Sequence, residues 1–473
     1  MVIAKEDCPD GQLLKSEDGK APLFERKNAD YKDYSSNFKE SQIDFSKQFA
    51  HMYACRLGEL REVLIQKAEA KWGKVPIVKL ADLEHQEENR CIIIGTLYKH
   101  QQWKPSILRE LSEETAEVVT EHNEDYCDEK DQPFLEDEML RIKLVGDRVD
   151  IREIITGVVC AIVGHKTDLS IFFTIENQLF FLSYWCFPGC PPRSVGSRSS
   201  SSKGKLVLVS TLDLVKNGDS LATSLLAEWI SGMAGNLQSQ AEQASVVRVV
   251  ITGNSVSASA PKKEQDYLVN AADNTEALAQ ISGAIEKLDS WLDEILGHCC
   301  VTLMPGQHDP TNYMLPQKPL HRLILRKSFR YANFKGASNP WLGKVGNRVI
   351  MGSSGQPIED IMRVCGTNSE VTPLQWLERT LIWRHLCPTA PDTLPSHPYY
   401  EKDLFIMKEC PDVYFVSNTD KFETKLFKGD EDQVVRLICV PRFSSTKCAV
   451  LVDLESLDTQ TISFGSNNFS VRT

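Results

Sequence analysis

The stretch Val301-Thr302-Leu303-Met304-Pro305-Gly306-Gln307-His308-Asp309-Pro310 runs from four strand-forming residues into a Pro-Gly turn carrying an amide, an imidazole and a carboxylate. A short apolar run of this kind reads as a buried strand of an α/β sheet. Such sheets bind ligands in the crevice beyond the carboxyl ends of their strands. A side-chain amide placed there can offer its carbonyl oxygen to a cation, and a histidine can protonate a leaving oxygen. One turn is a weak signal, so the other strand ends have to be compared with it.

From residue 206 onward the pattern alternates between strand and helix. Leu206–Ser210 and Val246–Ile251 are buried strands, separated by a helix around 220–235. A helix from about 274 to 296 leads into the opening stretch. Later strand-like runs are Arg348–Met351, Leu381–His385, Val413–Val416, Val434–Val440 and Cys448–Leu454. The strand ends then carry Thr211 and Asp213, Gly253 and Asn254, the Gln307-His308-Asp309 turn, His385, and Ser417, Asn418 and Asp420.

This order resembles the ligand blocks of calcineurin-like two-metal phosphoesterases, whose pattern is Asp-x-His, Gly-Asp, Gly-Asn-His-Asp/Glu, a lone His and Gly-His-x-His. That chemistry needs a carboxylate bridging two cations ~4 Å apart. Here Asn254 holds the bridging position, Thr211 replaces the first Asp, and Asp213 replaces its His. Gln307 replaces Asn, and Ser417, Asn418 and Asp420 occupy the last block without either histidine. His308, Asp309 and His385 survive. The site is therefore read as inactivated, with no catalytic residue, metal or cofactor expected, and with hydrogen-bonded structural roles for His308 and His385. Asp309-Pro310-Thr311-Asn312-Tyr313 reads as a fixed turn.

Residues 1–40 are polar and aperiodic and are expected to be mobile. Phe45, Phe49, Tyr53, Leu57, Leu60 and Leu64 mark one face of a helix from about Ser46 to Trp72, which Gly73 stops. Strand-like pieces follow at Arg90–Tyr98, Leu140–Leu144, Ile154–Val163 and Leu169–Leu182, with Gly95 and Gly157 as bulges or barrel corners. One helix and several short strands suggest an OB-type barrel over 41–190. Between its strands, residues 110–138 hold thirteen Asp and Glu against one Lys and read as an acidic loop. A barrel that binds single-stranded DNA should show aromatics among Lys and Arg; the linear sequence shows no such pattern. Cys186 and Cys190 lack the second ligand pair that a structural zinc requires. The Ser/Gly-rich 191–205 reads as a linker to 206–473.

Composition narrows the classes. A chain of 473 residues, 42% hydrophobic and 25% charged, suits a globular protein of two or more domains. No run approaches the ~20 apolar residues of a membrane span, and the N-terminus lacks a secretory core, so an intracellular chain is expected. Cys91, Cys160 and Cys439 sit in apolar runs, as buried reduced cysteines do. A net charge of −12 disfavours autonomous DNA binding.

Longer strings carry a closer likeness: FSKQFAHMYACRL (45–57), IIIGTLYKHQQWKPSILRELSEE (92–114), FLEDEMLRIKLVG (134–146) and IITGVVCAIVG (154–164) in the first part. MPGQHDPTNYMLPQKPLH (304–321), CPTAPDTLP (387–395), ECPDVYFVSNT (409–419) and GDEDQVVRLICVPRFSSTKCAVLVDL (429–454) follow in the second. Together they resemble the B-subunit family of replicative DNA polymerases, in its polymerase delta branch. The resemblance implies an N-terminal helix and OB-type β-barrel followed by an inactivated calcineurin-like phosphoesterase α/β sandwich. It implies a nuclear, non-catalytic scaffold for replication and repair synthesis. Its sandwich would hold the cysteine-rich C-terminal domain of the polymerase delta catalytic subunit. Its barrel side would hold the third subunit, with a fourth subunit as a further partner. The sliding clamp and DNA would be reached only through the complex. A residual metal-dependent phosphodiesterase or nuclease and a single-strand-binding OB module are the alternatives.

Overall fold

The computed structural model describes residues 24–39, 46, 48–85, 90–104, 125–167, 179–193, 203–218, 220–259, 271–366, 370–399 and 401–465. The first strand lies in a segment expected to be mobile. β1 (Tyr31–Asp33) pairs antiparallel with a strand of the second domain. Nearby, Arg26 donates to the carbonyls of Ile230 and Val246, and Ser35 and Phe38 are buried. The Arg248 guanidinium sits 3.6 Å from the centre of the Tyr31 ring. A polar composition therefore hid a strap that is held by backbone pairing and one cation–π contact. Residues 1–23 and 40 lie outside the described residues.

Helix α1 (Ala50–Trp72) begins four residues later than its sequence pattern suggests. Leu57, Leu60, Leu64 and Ala68 pack on the outer surface of a barrel, whereas Phe49 is exposed and Phe45 lies outside the described residues. The barrel strands are β2 (Cys91–His100), β3 (Gln132–Glu136), β4 (Arg141–Val145), β5 (Val159–Thr167) and β6 (Leu179–Cys186). They close in the order β2-β3-β4-β6-β5, with β4 and β6 parallel and the other pairs antiparallel. Inward residues such as Ile93, Leu135, Leu144, Cys160 and Phe180 fill it. Gly95 serves closure, since a Cβ there would lie 2.5 Å from the Glu136 carbonyl oxygen. The acidic 110–138 stretch is not all loop, because β3 falls within it; residues 105–124 lie outside the described residues. The expected strand Leu169–Leu182 is observed only from Leu179, with 168–178 outside the described residues.

The expected linker is docked at its start. Cys410 donates its backbone N–H to the Pro192 carbonyl, Arg193 pairs with Asp412 at 3.3 Å, and the Cys190 and Cys410 sulfurs are 3.6 Å apart. Residues 194–202 lie outside the described residues.

The second part is two six-stranded sheets. One contains β7 (Lys205–Val209), β8 (Val246–Thr252), β9 (Val301–Met304) and β10 (Phe334–Gly336) in parallel, extended antiparallel by β16 (Cys448–Asp453) and β17 (Thr459–Ser463). The other runs β1-β11-β12-β13-β15-β14, where β11 is Trp341–Val345, β12 Arg348–Ser353, β13 Val413–Thr419, β14 Glu423–Lys428 and β15 Val434–Pro441. Leu206, Leu208, Val250 and Met304 of the first sheet meet Trp341, Ile350, Phe415 and Ile438 of the second. Helices α2 (Leu221–Ser231) and α3 (Ala271–Leu296) cover the outer face of the first sheet. Helices α4 (Gln356–Cys365) and α5 (Pro373–Ile382) lie between the second sheet and the barrel. The expected strand Leu381–His385 is instead the end of α5 and the turn after it. Thr372 and Gln375 form a capping box, Pro373 opens the first turn, and Trp376, Leu377, Thr380 and Leu381 bury one helical face.

Barrel and sandwich are joined through Arg56 of α1, whose side chain is fully buried. Its Nε donates to Asp403 Oδ2 at 2.6 Å, Nη1 donates to the Gly157 and Pro388 carbonyls at 2.9 Å each, and Nη2 donates to the Ala390 carbonyl at 2.7 Å. Gly157, at φ +91°, is therefore not a strand bulge: a Cβ there would lie 2.0 Å from the Pro388 carbonyl oxygen. Asp403 Oδ2 also takes a hydrogen bond from His385 Nε2 at 2.9 Å, and Oδ1 takes the Phe405 N–H at 2.9 Å. The Cys387 N–H donates to His385 Nδ1 at 3.2 Å, so the imidazole is neutral with its proton on Nε2. Burial works against the ionised Asp403, but the Arg56 guanidinium and His385 hold it well below the usual carboxylate range. Burial, aided by the Arg56 charge, pushes His385 down to about 4. His385 is a structural member of the domain junction.

The network makes the junction sensitive to both mutation and pH. Arg56→Ala leaves Asp403 buried without its ion-pair partner and is expected to cost about 3–5 kcal/mol in urea denaturation; a loss below about 1 kcal/mol would contradict the assigned role. Because His385 takes up a proton near pH 6.5 when unfolded but near 4 when folded, it removes stability as the pH falls between those values. The stability advantage of the native chain over His385→Gln should therefore shrink by about 3 kcal/mol from pH 7 to pH 4. A constant difference across that range would refute it.

Candidate functional site at the strand ends

The carboxyl ends of β7, β8, β9, β12 and β13 converge at one end of the sandwich. Thr211, Asp213, Asn254 and Asn418 all have left-handed backbones there, with φ of 51°, 50°, 52° and 60°. Asn and Asp tolerate this conformation, whereas a β-branched Thr does so rarely. The Thr211 N–H donates to the Gly253 carbonyl at 2.9 Å and the Asp213 N–H to the Asn254 carbonyl at 3.2 Å, which locks the first two ends together. Concentrated backbone strain of this sort is characteristic of functional sites.

The side chains that meet there are mainly amides and hydroxyls. The Thr211 hydroxyl donates to Asn418 Oδ1, and Asn418 Nδ2 donates to the Ser354 carbonyl. Asn254 Oδ1 accepts the His308 backbone N–H at 3.1 Å. Asp309, buried, accepts the Val256 N–H on Oδ1 and the Gly306 N–H on Oδ2, each at 2.8 Å. Burial raises its carboxyl to about 6 despite these donors. Asp213 Oδ1 accepts the Ala258 N–H at 3.1 Å. Both aspartates thus use carboxylate oxygens to hold local backbone.

Four residues that the sequence comparison missed complete the cluster. Gln317 Nε2 donates to the Gly306 carbonyl at 3.0 Å, while its Oε1 accepts from Asn339 at 2.7 Å and from Gln356 at 2.9 Å. Ser354 donates to Gln356 Oε1 at 2.6 Å and accepts from Asn339 at 2.7 Å. Gln317, Asn339 and Ser354 come from loops and Gln356 from the first residue of α4, none with ligand spacing, and only the conspicuous Pro-Gln and Asn-Pro dipeptides at 316–317 and 339–340 mark two of them. The packing is close. A Cβ on Gly306 would lie 2.3 Å from both the backbone nitrogen and Oδ1 of Asn254.

The remaining sequence candidates divide. Gln307 and His308 are half-buried on the same turn, and Ser417 is buried beside Asn418. Asp420 is exposed and paired with Arg442, and His385 belongs to the Arg56 network instead. The 309–313 turn is fixed as expected: Asn312 Oδ1 accepts the Lys318 N–H at 2.7 Å and Nδ2 donates to the Met314 and Pro316 carbonyls. Among the described residues no group of three or more His, Cys, Asp or Glu side chains is disposed to hold a metal ion.

Comparison with known proteins agrees with both halves of this architecture. Residues 48–177 match the family model described as the DNA polymerase delta subunit OB-fold domain, and residues 206–424 match that of the DNA polymerase alpha/epsilon B-subunit. The chain is 39% identical to DNA polymerase delta subunit 2 of Drosophila melanogaster, over 93% of this chain and 99% of the relative. It is 36% identical to the DNA polymerase delta small subunit of Arabidopsis thaliana, over 94% and 97% of the two chains. With the corresponding small subunit of Saccharomyces cerevisiae the identity is 28%, over 89% and 90%. An OB-fold barrel joined to a mixed α/β sandwich, with near full-length identity of this order, places the chain in the family of DNA polymerase delta small subunits.

Proposed function

We propose that this chain, an accessory subunit of DNA polymerase delta, is a non-catalytic nuclear scaffold whose sandwich is a dismantled phosphoesterase. In this reading the sandwich holds the cysteine-rich C-terminal domain of the catalytic subunit. The barrel side carries the third subunit, with the fourth subunit and sliding clamp reached through the assembly. The supporting observation is the strand-end cluster, in which amides and hydroxyls predominate. Two adjacent cations need several carboxylate and imidazole ligands to compensate their charge. Here Asn254 is engaged with the His308 backbone, Asn418 with Thr211 and Ser354, and Asp309 with two backbone N–H groups. Thr211, Asp213, Gln307, His308, Ser417 and Asp420 complete the vestigial set. The left-handed backbone at four of these positions is held, in place of metal, by the bonds of Asn418 to Thr211 and to the Ser354 carbonyl and by the backbone bonds of Thr211 to Gly253 and Asp213 to Asn254.

The test has two arms. Purified chain with Mn²⁺ should hydrolyse bis(p-nitrophenyl) phosphate no faster than His308→Ala or the metal alone. An affinity-tagged chain should retain the polymerase catalytic subunit through washing at moderate salt. Robust manganese-dependent hydrolysis abolished by His308→Ala would overturn the scaffold reading, and so would failure to retain any polymerase subunit.

A further inference from the structure

The chain that leaves the barrel brings one of its thiols against a thiol of the sandwich. Cys186 and Cys190 part company in the fold: Cys186 packs on the α1 side of the barrel, and Cys190 enters the core that barrel and sandwich share. There its sulfur lies 3.6 Å from that of Cys410, in the loop just before β13. The two residues are 8% and 4% exposed. The backbone around them is fixed. The Gly189 N–H donates to the Ile382 carbonyl at 2.8 Å, Arg384 donates to the Gly189 and Cys190 carbonyls at 2.7 and 3.0 Å, and the Cys410 N–H donates to the Pro192 carbonyl at 2.9 Å. Arg384 and Arg193 bear on the pair with positive charge, and Asp412 opposes them. A hydrogen bond from Cys190 draws the Cys410 thiol below its ordinary value against the cost of burial, with the Arg193 charge assisting. The same bond, together with burial, pushes Cys190 up.

We propose that Cys190 and Cys410 form a redox modification site, at which a hydroperoxide closes a disulfide that staples the end of the barrel to the sandwich. The Cys410 thiolate attacks the peroxide, the O–O bond breaks, and the sulfur becomes a sulfenic acid as hydroxide leaves. Cys190 then gives up its proton and attacks that sulfur, forming the S–S bond and releasing water. Two thiols lose two electrons and the peroxide gains them, so hydrogen peroxide ends as two waters. The sulfurs have to close from 3.6 Å to about 2.0 Å. Both cysteines lie outside helix and strand, so their side chains can make that movement without disturbing a ladder. An electropositive setting and a resolving thiol in contact separate responsive cysteines from inert buried ones. In a reducing compartment the dithiol is the resting form, and thiol exchange reverses the bond. The link joins positions 220 residues apart and adds a covalent tie to the junction that Arg56 sets. The inference goes beyond the scaffold reading and depends neither on the strand-end cluster nor on which subunits the chain holds.

Mass spectrometry of the full-length chain tests it. Reduced protein is treated with a small excess of hydrogen peroxide, alkylated with N-ethylmaleimide and digested without reduction. The peptides holding Cys190 and Cys410 should appear joined, lighter than their sum by two hydrogens, and dithiothreitol should separate them. The same oxidation should raise the urea midpoint of unfolding by roughly 0.5 M or more. Dithiothreitol should return the midpoint in the same sample, a comparison that needs no variant. Cys190→Ser should leave a sulfenic acid on Cys410 that dimedone traps, whereas Cys410→Ser should leave Cys190 without the label. Thiols that both stay open to alkylation, sulfinic acid at Cys410 with no linked peptide, or Cys410 joined to another cysteine would each overturn the proposal. A link that leaves the urea midpoint unchanged would overturn the stapling role.

Discussion

A single buried guanidinium sets the relation between the two halves of the molecule. Arg56 has no water to fall back on, so each of its donors must find a protein acceptor. Those acceptors come from three places: the loop before β5, the 388–390 turn and Asp403. Only one arrangement of barrel and sandwich satisfies them together. The burial of an ion pair adds little net stability over a well-packed apolar contact, yet it penalises any misaligned docking severely. Gly157 admits the Pro388 carbonyl because it has no side chain, and His385 completes the carboxylate's coordination without adding a charge.

The strand-end cluster obeys the same accounting by different means. Parallel strands deliver their carboxyl ends to one edge, where backbone N–H and C=O groups outrun the ladder and need partners. Ligands or metals can supply them; here side-chain amides do. Gln317, Asn339 and Gln356 each offer donor and acceptor atoms on one group, so three neutral side chains close a network that would otherwise require charge. The cluster sits beside the left-handed backbone of Thr211, Asp213, Asn254 and Asn418.

Much of the architecture is legible in one dimension. The apolar runs at 206–209, 246–251 and 301–304 read as buried strands and are strands of one sheet, and the spacing of Leu57, Leu60 and Leu64 reads as a helix face and is one. Misreadings occurred where tertiary partners override local pattern. Tyr31–Asp33 looks disordered because its three residues owe their strand to β11 and to Arg248, both far away in sequence. Leu381–His385 looks like a strand because five residues cannot display a helical period, whereas the capping box upstream at Thr372 and Gln375 can.

Residue chemistry by itself determined the character of the strand-end cluster, since the amides of Asn254, Gln307 and Asn418 and the hydroxyl of Thr211 are functional groups that no folding can change. The family strings did the same for kinship. What only the tertiary structure decided is which of those residues meet. His385 leaves the strand ends for the Arg56 junction, Asp420 turns outward, and Gln317, Asn339 and Ser354 from loops and Gln356 from the start of α4 enter the cluster with no telling spacing. The rings on the outer surface of the barrel are likewise brought together by strand register, which sets Tyr98 beside Phe134 and Phe181 beside His165 although they are drawn from four strands. A hydrogen bond or a ring stack depends on positions in space, and sequence distance carries that information only where a helix or a single strand converts it directly.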